Sequence, residues 1–285
     1  MQHGLDENDD IGALVDLSTY PLHALDSPKG RELVARVQSD LQRDGASSLP
    51  NFIAPQALAL LVEEAESLVP LAFAGPTSVS PYFFNYDIGG PAAPDDHPTR
   101  REGVRNLSQV AYDLIPRDSL LCRLYHSDLV TQLVAKVQGK AQLYRLADRY
   151  QSLNISVMEE GGCQQWHFDR GHLVTTLLLQ SAESGGAFEY APRIRSDEDE
   201  RFDDVTAVLD GDRTHVKTLN LQPGALNLFQ GHYSMHRVTP VVGKRRRLQT
   251  IFAFADKPDT HGNLKSSVLH YGPRVSEQEL ARHLT

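Results

Sequence analysis

The chain has 285 residues, enough for one large domain or two small ones with a core that needs no covalent cross-links. Its hydrophobic fraction of 40% and charged fraction of 23% are typical of a globular protein, and its net charge of −9 argues against nucleic acid or an anionic membrane as a partner. The two cysteines, Cys122 and Cys163, are too few for a disulfide framework and fit a reducing cytoplasm.

The start of the chain is acidic and contains no apolar stretch, so we expect residues 1–10 to be a disordered tail rather than a signal peptide. No apolar run approaches the roughly 18 residues that a membrane-spanning helix needs. We therefore expect a cytoplasmic protein that has no membrane partner.

Residues 11–140 are predicted to be mainly helical. One helical pattern begins at Ser27-Pro28 and ends near Gly45, and a second begins at Pro55, since proline is tolerated in the first turn. Residues 118–138 are predicted to form one or two helices.

Within this part, residues 74–106 form a long segment rich in glycine and proline. Loops of this length are usually functional lids or disordered. Interleaved aromatic residues such as Tyr82 and Phe83 favour an ordered lid or pocket wall, and a mobile insertion is the alternative.

From about residue 141 the pattern changes to short apolar runs separated by glycine-containing turns, which is typical of a β-sandwich or barrel. The acidic stretch 196–204 is predicted to be a surface insertion with a short helix, and 276–284 a closing helix. The predicted strands are 152–158, 173–180, 186–190, 216–221, 225–229 and 248–254.

A His-x-Asp pair lies just ahead of one predicted strand, at His167 and Asp169. On a strand, residues two apart point the same way, so both side chains can reach one metal ion while Phe168 points away. A second match, His126-Ser127-Asp128, lies among helical segments, where residues two apart do not face each other. There Ser127 or Asp128 is better explained as a helix N-cap.

The second imidazole of such a site has two candidates, His232 and His236. They would share one face of a helix, but the flanking sequence indicates two strands joined by a loop, and the context after His236 is the more specific. Two histidines and one carboxylate on one side of a metal leave positions open opposite, which is the arrangement of non-haem Fe(II) oxygenases.

An arginine follows on the next predicted strand, at Arg247. A guanidinium is the best partner for a carboxylate because it is planar and bidentate, so Arg247 could orient a dicarboxylate whose other end binds iron. Arg245 shares its face of the strand and Arg246 lies opposite. The alternative is that these arginines face solvent.

The order of these motifs resembles that of the Fe(II)/2-oxoglutarate-dependent oxygenases. The resemblance covers about residues 140–256. It follows His167-Phe168-Asp169, Gly185-Gly186-Ala187-Phe188-Glu189-Tyr190, Pro223-Gly224-Ala225-Leu226-Asn227-Leu228-Phe229, His236-Arg237-Val238-Thr239-Pro240-Val241 and Arg247.

This resemblance implies an α+β fold with a double-stranded β-helix (jelly-roll) core at 141–256. Helices would precede the core, an extension at 257–285 would follow it, and all would form one domain, 1–285. It also implies one Fe(II) bound by three ligands, 2-oxoglutarate as co-substrate and O2 as oxidant. Arg247 would pair with the distal carboxylate of 2-oxoglutarate, with Arg246 or Arg245 as the fallback. The implied ligands are His167, Asp169 and His236.

A narrower bacterial group is similar in Trp166-His167-Phe168-Asp169 and in the segment that begins at His236. Its members include tailoring enzymes that act on free amino acids or other small metabolites, and in those that are chlorinases a glycine replaces the carboxylate ligand. Asp169 therefore favours a hydroxylase acting on a small polar metabolite, such as a free amino acid or natural-product precursor, with release of succinate and CO2. The alternatives are desaturation, epoxidation or halogenation on the same scaffold, or a non-catalytic jelly-roll binding protein.

The candidate substrate contacts flank the predicted metal site. Glu189 would suit an ammonium group, although a salt bridge to a nearby arginine explains it equally well, and Trp166 has simple packing as its alternative. No feature of the sequence indicates the oligomeric state. The candidates are Asn154, Ser156, Trp166, Glu189 and Arg193.

Overall fold

The computed structural model describes residues 11–83 and 85–283, so the tail expected at residues 1–10 lies outside the described residues. The predicted helices near 27–45, from Pro55, at 118–138 and at 276–284 are present, with the region 118–138 divided into two; the short helix of the acidic insertion lies at 202–209, largely after the stretch 196–204, and the helix at 264–271 was not predicted. The helices are α1 (Pro28–Asp44), α2 (Pro55–Leu68), α3 (Leu120–His126), α4 (Asp128–Val137), α5 (Phe202–Leu209), α6 (Leu264–Tyr271) and α7 (Arg274–His283).

The ends of α1 follow directly from its sequence. Ser27 Oγ accepts a hydrogen bond from Gly30 N, Pro28 occupies the first turn, and Gly45 ends the helix with φ of 71°. Gly45 N in turn donates to Leu41 O, which satisfies one of the free carbonyl groups at the helix end.

Within the described residues, the strands form two large antiparallel sheets and two small two-stranded ones. A seven-stranded sheet has the order β1-β13-β9-β16-β7-β5-β2, and a six-stranded sheet has the order β12-β11-β14-β8-β4-β3. The strands are β1 (Ala46–Leu49), β2 (Phe73–Ala74), β3 (Ser78–Val79), β4 (Gly103–Asn106), β5 (Ser108–Val110), β6 (Tyr144–Arg145), β7 (Leu153–Met158), β8 (Cys163–His167), β9 (Val174–Gln180), β10 (Ser184–Gly185), β11 (Phe188–Ala191), β12 (Lys217–Leu219), β13 (Leu226–Phe229), β14 (Met235–Val238), β15 (Val241–Val242), β16 (Arg247–Phe252) and β17 (Phe254–Ala255).

Alternation along the strands of the seven-stranded sheet separates a core face from a cavity face. On β7, Leu153, Ile155 and Val157 join the main hydrophobic core, which also contains the buried faces of α1 to α4. The residues between them, Asn154 and Ser156, line a cavity on the other face. The polar residues of these strands therefore mark the cavity side.

The segment 74–106 differs from the expected loop because it contains short strands. β3 and β4 extend the edge of the six-stranded sheet, and the neighbouring β2 and β5 extend the seven-stranded one. Strands of two to four residues among glycines and prolines are too short to give a periodic pattern, which is why the sequence did not predict them. Phe83 and Asn85 nevertheless line the cavity, as a pocket wall would.

The C-terminal extension also contributes to the cavity. α6 supplies Lys265, Ser266, Leu269 and His270 to its lining. Among the described residues, no helix is long and apolar enough to cross a membrane.

Candidate active site

The candidate active site is a cavity of about 630 Å³ lined by the facing surfaces of the two large sheets and by α6. The seven-stranded sheet contributes Asn154, Ser156, Arg247 and Gln249, and the six-stranded sheet contributes Arg105, Gln164, His167 and His236. A cavity of this size accommodates a small-molecule ligand.

Two of the three predicted metal ligands are paired across neighbouring strands. His167 ends β8 and His236 lies directly opposite it on β14, and their imidazole centroids are 4.0 Å apart. Asp169 follows β8, and its carboxylate oxygens lie 4.0 Å from His167 Nε2 and 3.3 Å from His236 Nε2. One donor atom from each of the three residues lies within 4.8 Å of the others, as binding to one ion requires.

The backbone and a close glycine hold Asp169 in place. Its amide donates to Gly231 O at 3.0 Å, and a Cβ atom at Gly231 would lie 1.9 Å from Asp169 Oδ2. Only glycine leaves room for the carboxylate at this position.

Hydrogen bonds orient both imidazoles with Nε2 towards the common centre. His167 Nδ1 lies 2.8 Å from Gln165 O and His236 Nδ1 lies 3.0 Å from Ser234 O. Since a carbonyl oxygen only accepts, each Nδ1 is protonated and donates, which leaves Nε2 with a free lone pair. Such bonds from the distal ring nitrogen are typical of histidine ligands of metals.

Burial keeps both imidazoles neutral, which is the form that binds a cation. It lowers the pKa of His167 to about 3, with the proximity of His236 as a further cause, and it lowers the pKa of His236 to about 4. Both imidazoles are therefore neutral near pH 7, as metal binding requires. Burial also raises the pKa of Asp169, and a bound cation would stabilise its ionised form. The donor set of two imidazoles and one carboxylate fits Fe(II).

A bulge in β8 decides which residues face the cavity. His236 pairs with His167, whereas Val238 pairs with Gln164, so β8 has one extra residue over this span. Gln164 and His167, three positions apart, therefore both line the cavity. Trp166 packs instead in a separate hydrophobic cluster with Phe168 and Met235.

Arg247 lies at the start of β16, on its cavity side, and is only 3% exposed. Its Nη2 has no hydrogen-bond partner, and no carboxylate of the described residues pairs with it. Burial lowers its pKa to about 10, which still leaves it charged at neutral pH. A buried guanidinium without a partner is costly unless a ligand supplies the anion. The arginine therefore fits the distal carboxylate of 2-oxoglutarate.

The two alternative arginines are occupied elsewhere. Arg246 forms ion pairs with Glu66 at 2.5 Å and with Glu159 at 3.3 Å. Arg245 donates to the backbone oxygens of Ser181 and Ala182. Neither lines the cavity.

Three of the predicted substrate residues do not line it either. Glu189 is the direct cross-strand partner of Arg237 and forms a 2.7 Å ion pair with it, which is the alternative that the sequence left open. The Arg237 guanidinium in turn lies 4.9 Å from the ring centroid of Trp166. Arg193 donates to the backbone oxygens of Gln42 and Arg43 at the end of α1. Of that set, Asn154 and Ser156 do face the cavity.

The rival histidines lie outside the cluster. His232 approaches Asp197 at 4.0 Å, and its ring lies tilted against that of His172 with the centroids 4.7 Å apart. His126 hydrogen-bonds Tyr112 Oη, while Ser127 is the N-cap residue of α4 without a side-chain cap bond.

Sequence reasoning missed the other basic residues of the cavity. Arg105 lies on β4 within the segment 74–106, and His270 lies on α6. Arg170, next to Asp169, and Lys265 complete this set. Only the position of Arg170 beside the metal motif could have indicated its place, because no pattern marks the other three.

Comparisons with known proteins agree with this geometry. The family described as HalD, halogenase D, matches residues 97–270. A search of curated protein sequences finds no match.

Several solved structures share the fold. AviO1 from Streptomyces viridochromogenes Tue57 is 18% identical, with a TM-score of 0.53 over 79% of this chain and 95% of that one. The non-heme alpha-ketoglutarate-dependent epimerase SnoN from nogalamycin biosynthesis is 14% identical, with a TM-score of 0.53 over 79% and 83%. A 2OG-Fe(II) oxygenase family protein from Burkholderia pseudomallei is 14% identical, with a TM-score of 0.51 over 78% and 90%.

The expected combination of helices and antiparallel sheets is thus confirmed. The donor set and the shared fold support Fe(II), 2-oxoglutarate and O2 as cofactor and co-substrates, as the sequence predicted. The chain belongs to the halogenase D family and has the fold of the Fe(II)/2-oxoglutarate-dependent oxygenases.

Proposed function

We propose that this protein is an Fe(II)- and 2-oxoglutarate-dependent dioxygenase that hydroxylates an unactivated C–H bond of a small polar metabolite. The substrate class is a free amino acid or a related natural-product precursor. Each turnover would combine the substrate, O2 and 2-oxoglutarate and yield the alcohol, succinate and CO2. The two large sheets would form the jelly-roll core that the resemblance implies.

The observation that carries this proposal is the position of the Asp169 carboxylate. It lies 3.3 Å from His236 Nε2 and 4.0 Å from His167 Nε2, so the cluster has three protein donors. A halide ligand would need the place that this carboxylate takes, and Gly231 provides the space that keeps it there. Asp169 therefore favours hydroxylation over halogen transfer, although the family carries the name of a halogenase.

The residues of the cavity would have three separate roles. Fe(II) held by His167, Asp169 and His236 would supply the activation of O2. Arg247 would orient 2-oxoglutarate by pairing with its distal carboxylate. The buried sheet faces would exclude bulk water from the reacting C–H bond.

Halogenation is the second candidate, because the family that matches is described as halogenase D. It would require chloride to take the place of the Asp169 carboxylate in the cluster. Product mass separates the two reactions, since hydroxylation adds one oxygen atom and chlorination replaces a hydrogen with chlorine. Desaturation would instead remove two hydrogens.

The test begins with anaerobic addition of Fe(II) and 2-oxoglutarate to the metal-free protein. A visible charge-transfer absorption is expected, and Arg247→Gln should weaken 2-oxoglutarate binding without abolishing iron binding. A panel of amino acids is then screened for succinate release in the presence of chloride, and the masses of the products are determined by mass spectrometry. Absence of the absorption would favour the binding-protein alternative, and a chlorinated product from the wild type would overturn the hydroxylase assignment.

A further inference from the structure

A second buried guanidinium lines the same cavity at Arg105, which is 2% exposed. It lies on β4, the strand hydrogen-bonded to the strand that carries His167. Nη2 donates to Gln109 Oε1 at 2.8 Å and lies 3.2 Å from His270 Nδ1, while Nε and Nη1 have no partner. Among the described residues, no carboxylate forms an ion pair with it.

The surroundings of Arg105 hold it in one position. Gln109, which accepts from Arg105, itself donates to Asn154 Oδ1 at 3.3 Å. On another side, a Cβ atom at Gly75 would lie 2.7 Å from Arg105 Nη1, so the chain leaves just enough room for the guanidinium. Burying an uncompensated charge is unfavourable, and so is leaving buried N–H groups unbonded, so a built arrangement of this kind points to an anionic ligand.

The charges around the cavity indicate the net charge of this ligand. Fe(II), Asp169, Arg247 and the two carboxylates of 2-oxoglutarate would neutralise one another. That leaves Arg105 in the interior and Arg170 and Lys265, both exposed, without opposite charges from the described lining residues. A net-anionic substrate would complete the balance, and the exposed cations would attract it from solvent.

The lining also lacks a partner for a cationic substrate. Asp169 is its one carboxylate among the described residues, and that side chain belongs to the metal cluster. The other polar residues are mostly amides such as Gln151, Asn227 and Gln249, which provide neutral oxygens. Glu189, the acidic residue that would have suited an ammonium group, is paired with Arg237 outside the cavity.

We propose that the substrate is a small acid with a net negative charge, and that one of its acid groups pairs with the Arg105 guanidinium. This inference rests on the proposed oxygenase function and narrows its substrate class to acidic amino acids and similar compounds with at least two acid groups. Arg105 is then a specificity-determining residue, because its guanidinium favours substrates that carry a net negative charge.

The test uses the full-length protein loaded with Fe(II) and saturating 2-oxoglutarate under anaerobic conditions. L-aspartate, L-glutamate and O-phospho-L-serine are titrated against their neutral counterparts L-asparagine, L-glutamine and L-serine, with L-lysine as the cationic probe. The readout is the change that each compound causes in the charge-transfer absorption. At least one acid should bind tenfold or more tightly than its neutral counterpart, and L-lysine should bind more weakly than that acid.

Variants then test the role of Arg105 itself. Arg105→Gln should reduce the affinity for the responsive acid at least tenfold more than the affinity for its neutral counterpart, and Arg105→Lys should restore part of the preference. The dissociation constant of 2-oxoglutarate should stay the same in both. Arg31→Gln, on the outer surface of α1, removes an exposed positive charge and serves as the matched control.

Three results would overturn the inference: equal loss for acid and neutral compounds in Arg105→Gln, a preference for neutral or cationic compounds, or no response to any acid. Each presupposes that the charge-transfer absorption is present, so it leaves the proposed oxygenase function intact. If the absorption itself fails to form, it is the oxygenase function that is wrong.

Discussion

His167 and His236 lie directly opposite one another on adjacent antiparallel strands, with their ring centroids 4.0 Å apart. Each ring is fixed by its own backbone carbonyl, so both Nε2 atoms are aimed at the centre before any ion binds. Strand pairing therefore preorganises two ligands, while the third, Asp169, depends on the loop after β8 and on Gly231. The carboxylate is the ligand whose position is most open to perturbation.

Replacement of Asp169 by glycine should abolish hydroxylation, because the ion loses its only anionic protein ligand. We expect activity to fall by more than roughly 100-fold, since even substitutions beyond the direct ligands cost 10- to 100-fold. Any chlorinated product would then require halide to enter the vacated position. The measurements are succinate release and product mass with and without chloride.

The chain offers a matched control in its second His-x-Asp motif. Asp128→Gly removes a carboxylate that pairs with Arg145 on the surface. This variant should form product as the wild type does, and its folding stability should fall only modestly. Full hydroxylase activity in Asp169→Gly would contradict the ligand assignment.

Gly231→Ala should displace the third ligand without touching any donor atom. The new Cβ would lie 1.9 Å from Asp169 Oδ2, so the carboxylate or the backbone must move. We expect Fe(II) affinity to fall roughly 10- to 100-fold, in the range found for residues that support metal ligands. Gly12→Ala is the control because its Cβ would meet only Leu17, at an ordinary 3.5 Å. Unchanged iron affinity in Gly231→Ala would show that the loop adapts freely.

The candidate metal cluster could be predicted from the sequence through one local pattern and one resemblance in the order of the motifs. His167 and Asp169 are two apart at a strand end, and the order of the later motifs indicated His236 and Arg247. Their convergence follows once β8 pairs with β14. The sequence of β7 also indicates which face of the seven-stranded sheet lines the cavity, because polar Asn154 and Ser156 alternate with apolar core residues.

The substrate side could not be predicted in the same way because it depends on non-local contacts and on an irregularity. The β8 bulge turns Gln164 inward, against a simple alternation from His167, while Trp166 lies in a hydrophobic cluster as that alternation gives. Glu189 forms an ion pair with Arg237 because the β11–β14 register places the two residues directly opposite one another. Arg105 comes from a segment without periodicity and His270 from a C-terminal helix, and only packing brings the two within 3.2 Å.

Arg247→Met should separate ligand binding from folding stability. The guanidinium is 3% exposed and has no carboxylate partner among the described residues, so an apolar side chain of similar length removes a burial cost from the protein without ligand. We expect the metal- and ligand-free variant to unfold at a temperature equal to or above that of the wild type. Its affinity for 2-oxoglutarate should fall roughly 10- to 100-fold, as for the loss of hydrogen bonds to a charged group.

The control for this variant is Arg246→Met, which breaks partly exposed ion pairs to Glu66 and Glu159 but should leave 2-oxoglutarate affinity unchanged. Differential scanning calorimetry and titration of the charge-transfer absorption provide the two readouts. A marked loss of stability in Arg247→Met would mean that the arginine has a structural partner in solution.

The metal-free protein should lose stability as the pH falls below about 6.5. Burial lowers the pKa of His167 to about 3 and that of His236 to about 4, so the unfolded chain takes up protons at these residues before the folded chain does. Each imidazole then costs about 1.4 kcal/mol of unfolding free energy per pH unit until its folded pKa is reached. The raised pKa of Asp169 acts in the opposite direction, because the folded carboxyl group takes up its proton first. Urea unfolding of the chelator-treated protein between pH 7.5 and 5.5 measures the net slope. His236→Gln should reduce that slope. An unchanged slope in this variant would mean that His236 is not buried as a neutral group, and the orientation of its Nε2 atom towards a common ion would lose its support.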